Sequence, residues 1–111
     1  MGELYGVDSG GLREDLGWVR NRLFAEHDYR SQDVVDRLYS ISERADAISR
    51  ARQAGGLNTW QGLGTWARAL AQAAEIYRDK HPEGAPFPFQ TEAGTFGIYA
   101  RQAEEELVDG R

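Results

Sequence analysis

The chain of 111 residues contains no cysteine. That excludes a disulfide framework, thiol chemistry and any thiolate-held metal. Its one lysine, Lys80, stands between Asp79 and His81, so no Gly-x-x-x-x-Gly-Lys-Ser/Thr phosphate loop occurs. All three prolines fall within residues 81–90. No apolar run approaches the roughly 20 residues a bilayer-spanning helix needs, and no membrane insertion is expected. The opening, MGELYGVDSGGLRED, lacks both a basic n-region and an apolar h-region, so no cleaved secretory signal is expected. Position 6 is Gly6, which does not fit an N-myristoylation signal. Cytoplasm or virion is the favoured location, with signal-less secretion as the alternative.

Motifs for chemistry are equally sparse. His27 and His81 lie 54 residues apart, and no His-Glu-x-x-His or Glu-x-x-His spacing occurs. Glu26, His27 and Asp28 are consecutive; on a helix they point about 100° apart and cannot chelate one ion together. Gly62-Leu63-Gly64 is the one Gly-x-Gly, and no strand precedes it. There is no Gly-x-Ser-x-Gly elbow. Paired carboxylates such as Glu14-Asp15 and Asp33-Asp36 read as solvated helix charges. No catalytic residue, no metal ligand and no cofactor is therefore expected. The net charge of -5 argues against a nucleic-acid partner held by phosphate contacts.

Helical periodicity is what the chain does have. Between the Gly10-Gly11 pair, the Gly55-Gly56 pair and the proline stretch, apolar residues recur every three or four positions. A chain of this length fits one domain with one core. After a flexible N-terminus at 1–8, helices are expected near 9–25, 31–53, 59–80 and 91–108. The first carries Leu12, Leu16, Val19 and Leu23, with Asp8 or Ser9 as cap. The second has Ser31 as N-cap and a narrow stripe of Val34, Leu38, Ile41, Ala45 and Ile48, leaving Arg37, Glu43 and Arg44 wet. The third, capped by Asn58 or Thr59, carries Trp60, Leu63, Trp66 or Ala67, Leu70, Ala74 and Tyr77. The fourth, after a Thr91-Glu92 cap, carries Phe96, Tyr99 or Ala100, Ala103 and Leu107. The predicted fold is all-α. It is a small bundle of three to four helices, with a tight Gly-Gly turn between the central two and a Pro/Phe-rich loop before the last.

The 12 aromatic residues supply the candidate site. Trp66, between Leu63 and Leu70, is expected inside. Trp60, with an apolar neighbour on one side only, is expected at the rim. Phe87 and Phe89 alternate with Pro86 and Pro88 in a stretch that cannot be helical. That stretch either lies over the core as a lid or presents its rings outward. Trp60, Phe87 and Phe89 are thus the candidate partner-binding residues, since aromatic anchors dominate interface hot spots.

Trp60-Gln61-Gly62 is also a Trp-x-Gly between a long helix and a second one. Residues 31–80 resemble the small Trp-x-Gly helical-hairpin proteins exported by type VII secretion systems of GC-rich Gram-positive bacteria. The Arg-heavy, Ala-rich composition agrees with such a genome. The resemblance implies a hairpin dimer exported without a cleaved signal. That family's Tyr-x-x-x-Asp/Glu signal after the second hairpin helix is missing: Tyr77 is followed four on by His81, and Tyr99 by Ala103. Tyr29-x-x-x-Asp33 and Tyr39-x-x-x-Glu43 fit the spacing but precede the turn. By elimination, the leading expectation is a non-enzymatic helical interaction or assembly module, acting through a protein partner or a homo-oligomer. In size and composition it looks like many bacteriophage particle components and phage-encoded host-blocking proteins. An enzyme or small-ligand binder is the third class.

Overall fold

The computed structural model describes residues 2–52, 59–81 and 87–109, with side chains for 11–51, 59–81 and 87–107. The described residues form four helices: α1 (Gly2–Arg20), α2 (Gln32–Arg52), α3 (Thr59–Lys80) and α4 (Gln90–Asp109). The expected Gly55-Gly56 turn, the Asn58 cap and most of the Pro/Phe-rich loop lie outside the described residues. Among the described residues there is no strand.

Each helix packs on its sequence neighbours, and α1 closes the ring against α4. Cross-helix pairs show that every neighbour is antiparallel. Asp15 meets Arg37 and Arg44 while Trp18 lies near Arg37. Asp46 meets Arg68, and Tyr39 meets Glu75. Trp60 meets Glu106, and Gly62 lies against Tyr99. Arg20 meets Glu104, and Phe24 approaches Gly97. This is an up-down-up-down four-helix bundle.

The core follows one rule on every helix. Leu12, Leu16, Val19 and Leu23 of the first segment are buried, as are Val34, Leu38, Ile41, Ala45 and Ile48 of α2. On α3 the stripe is Trp60, Leu63, Ala67, Leu70, Ala74 and Tyr77; on α4 it is Ala93, Phe96, Ala100 and Ala103. Steps alternate between three and four, the spacing of helices that pack about 20° from antiparallel with ridges in grooves. This settles both sequence alternatives. Ala67 is inside and Trp66 is half-buried; Ala100 is inside and Tyr99 is half-buried. Choosing Trp66 or Tyr99 would have broken the three-four alternation.

The first helix departs from expectation at its start, while the helical run ends at Ala25 as expected. It begins at Gly2, not near residue 9, so neither Asp8 nor Ser9 caps it. Glycine weakens a helix by about 1 kcal/mol but, unlike proline, keeps its N–H donor, so the helix passes through Gly10-Gly11. At the other end, Asn21–Ala25 widens into a π-helical turn. The Glu26 N–H donates to the Asn21 carbonyl at 3.1 Å, and the Asp28 N–H to the Arg22 carbonyl at 2.8 Å. His27, with φ of 55°, makes the left-handed turn that ends it.

The chain is then reset by side chains. The Asp28 carboxylate accepts the N–H groups of Arg30 and Ser31, each at 3.1 Å, and pairs with Arg22. The Ser31 hydroxyl accepts the Asp33 N–H at 3.1 Å, the expected N-cap of α2.

Candidate interaction surfaces

Trp60 enters the core at the first turn of α3 and is 1% exposed. Its indole N–H donates to Glu106 Oε1 at 2.9 Å, and the neighbouring Thr59 hydroxyl donates to Gln102 at 3.3 Å. The last turns of α4 therefore clamp the start of α3. The glycines that follow explain why the motif is Gly-Leu-Gly. A Cβ at Gly62 would fall inside the Tyr99 ring of α4, and a Cβ at Gly64 would collide with the Asp46 carboxylate of α2. Missing side chains on α3 admit side chains from both neighbours. The expectation of a buried Trp66 and a rim Trp60 is reversed: Trp60 is enclosed, and Trp66 is half-buried.

Phe87 is also buried, stacked on Tyr29 at 4.0 Å between centroids with planes 5° apart. Tyr77 meets it edge-on at 5.2 Å, and Phe89 at 5.5 Å. Phe89 is half-buried against the same cluster. Of the two sequence alternatives, Phe87 and Phe89 thus occupy lid positions over the lower end of the core. Arg30 closes that end: its guanidinium donates to the carbonyls of His81 at 2.9 Å and Arg78 at 3.3 Å, the unsatisfied C-terminus of α3. The structure therefore does not bring Trp60 and the Phe87–Phe89 pair into one outward patch; Trp60 sits at the opposite end of α3 from Tyr77, which Phe87 touches.

Several charged side chains strap helix to helix. Asp15 holds Arg37 and Arg44, Asp46 holds Arg68, and Arg20 forms a two-pronged pair with Glu104 at 2.7 and 2.8 Å. Arg44, expected wet, is in this way half-buried. The guanidiniums of Arg22 and Arg37 lie 4.8 and 4.6 Å from the Trp18 ring, within cation–π range. Burial pushes the Asp28 carboxyl up, but the Arg22 guanidinium and the two backbone N–H groups outweigh it and hold Asp28 below the usual carboxylate range. Burial, then Glu75, pushes the Tyr39 hydroxyl up. Among the described residues no three His, Asp or Glu side chains converge as a metal site would require.

What remains outward and apolar lies elsewhere. Ile98 is 60% exposed, Ile76 50% and Phe24 41%. Ile98 sits on the outer face of α4 beside two glycines. Gly97 carries the Phe24 ring, whose Cζ would be 3.2 Å from a Cβ there, and Gly94 faces open space. None of these residues lies on a helical stripe. Their signal was being out of phase: Ile98 falls between Phe96 and Ala100, and Ile76 precedes Tyr77.

No protein-family model matches the chain, and no curated protein and no solved structure matches it.

Proposed function

We propose that the chain is a non-enzymatic helical module that works through protein contacts. One observation carries this reading. Large apolar side chains are left outward on α3, α4 and the π-helical turn: Ile76, Ile98 and Phe24. Such side chains serve best where another protein covers them. A bacteriophage particle component or a phage-encoded host-blocking protein is the class that fits, and genes for portal and tail proteins beside this one would support it.

The test is photo-crosslinking in producing cells, with a photoreactive amino acid in place of Ile98 or, as control, of the exposed Glu43 on α2. Protein adducts from position 98 and none from position 43 support the module. If position 98 yields no protein adduct, the reading fails.

A second reading, a type VII-secreted Trp-x-Gly partner, is favoured by the antiparallel α2–α3 hairpin with Trp60-Gln61-Gly62 at the start of its second helix. Against it, the hairpin's apolar side is already covered by α1 and α4 of the same chain. Secretion-ATPase genes next to this one would favour it over the first.

A further inference from the structure

The chain turns back on itself at a short hinge between two anchored segments. Before the hinge, Leu23 is fully buried. After it, Tyr29 is buried under Phe87, and Arg30 is held by the C-terminus of α3. Phe24, Ala25, Glu26 and His27, between these anchors, are exposed. Glu26 is still right-handed, at φ −100° and ψ −9°, so the reversal falls on His27. Among the described residues, His27 is the one non-glycine with positive φ, a conformation in which Cβ crowds the following carbonyl. A π-helical turn precedes it, so both departures from regular backbone sit at this one corner.

We infer that α1 exchanges between two copies: with His27 out of the left-handed region, α1 points away from its own body and takes the place of α1 on a second copy. The inference goes beyond the contact module and does not use its outward side chains. Groove and occupant match because they are the groove and occupant of the single chain. Leu12, Leu16, Val19 and Leu23 are each 0% exposed against the rest of the bundle. Asp15 pairs with Arg37 and Arg44, and Arg20 with Glu104. Every one of these contacts joins a residue before His27 to one after it, so each is made again between copies. The seam is large enough to hold a dimer. Four such side chains bury about 100 Å² each, and with the groove side and two exchanged helices the total is about 1,600 Å², the size of a standard interface. Exchange thus keeps the contacts and releases the crowding at His27 once per copy. Strain in a short hinge is what favours swapping over closure. Closure within one chain acts at an effective concentration on the order of millimolar, so the monomer prevails in dilute solution.

Refolding the full chain from denaturant at about 10 μM and at about 1 mM, with sedimentation velocity on each product, tests this. The dilute sample should give 12.4 kDa, and the concentrated one should add a separate species of twice that mass. The chain has no cysteine, so Arg20→Cys with Glu104→Cys places its only thiols across the α1–α4 seam. A bismaleimide should turn the dimer fraction into a covalent dimer under denaturing conditions, because each seam is then shared between copies. In the monomer fraction the link should be internal. His27→Gly accepts the left-handed turn and should lower dimer formation by about ten-fold or more. His27→Val, β-branched and resistant to positive φ, should raise it by a similar factor. The inference is overturned by a chain that stays monomeric after concentrated refolding, by a dimer whose links lie within each copy, or by either His27 variant dimerising like the parent. None of these outcomes bears on protein adducts from position 98, so the contact module stands or falls separately.

Discussion

The seams of α3 and the seams of α1 are built on opposite principles. Against α2 and α4, α3 offers Gly62, Gly64, Ala67, Ala71 and Ala74, and its neighbours fill the space: Tyr99 over Gly62, Asp46 over Gly64. Against the same two helices, α1 buries its apolar stripe but adds Asp15 and Arg20 as charged straps, and Gly17 on its flank meets nothing within 4 Å. Shape complementarity of the first kind cannot be adjusted, because backbone and ring already touch. Ion pairs of the second kind, still partly open to water, are individually weak and screened by salt. The difference predicts where the molecule is brittle.

The largest effect should be at the start of α3. Trp60→Ala removes a buried indole and its bond to Glu106, and should cost about 3–5 kcal/mol in denaturant unfolding. Trp66→Ala should cost clearly less, because that ring is half-buried. If Trp66→Ala proves the more damaging, the register of α3 is wrong. Next comes Gly62→Ala, which should cost about 1–3 kcal/mol by driving a methyl into the Tyr99 ring. The same change made in a Tyr99→Ala background should cost nothing, and a persistent cost there would place the constraint in the backbone instead.

Asp28→Asn should cost about 1–2 kcal/mol at neutral pH, by weakening the acceptor of two backbone N–H groups and the Arg22 guanidinium. The folded carboxyl is held below its unfolded value of about 3.9, so its contribution is present above that pH and is lost as pH falls through the lower folded value. Melting curves of parent and variant should therefore converge under strongly acidic conditions. On α1 the signs soften or reverse. Gly17→Ala should stabilise by about 0.5–1 kcal/mol, since the methyl meets open space and the helix gains propensity. Asp15→Asn should cost no more than about 1 kcal/mol, and about 1 M salt should erase the difference. A larger, salt-independent loss would show that the α1 seam is as brittle as that of α3.

The sequence made the helices legible and left their neighbours obscure. The stripes of α2 could be read residue by residue, because Leu38, Ile41 and Ile48 repeat at three and four with nothing competing. On α3, Trp66 competes with Ala67 for one place in the stripe. Hydrophobic mass favours Trp66, whereas phase decides for Ala67. Trp60 was misplaced because its enclosure comes from Glu106, 46 positions away, which no local pattern announces. The same applies to Gly62, whose reason is Tyr99. The outward face of α4 was missed for the opposite cause: Ile98 and Gly94 mark it by failing to fit the stripe.

The Arg20–Glu104 pair joins residues 84 positions apart, the most distant hydrogen-bonded pair described. All other seams of the ring join helices adjacent in sequence. Closing a loop costs more entropy the longer it is, so the α1–α4 seam has the least reason to form early. Folding should begin in the α2–α3 hairpin, add α4 over its glycines, and close the ring last. In native-state hydrogen exchange the order runs backwards. Amides of α1 should open to solvent while those of α3 are still protected.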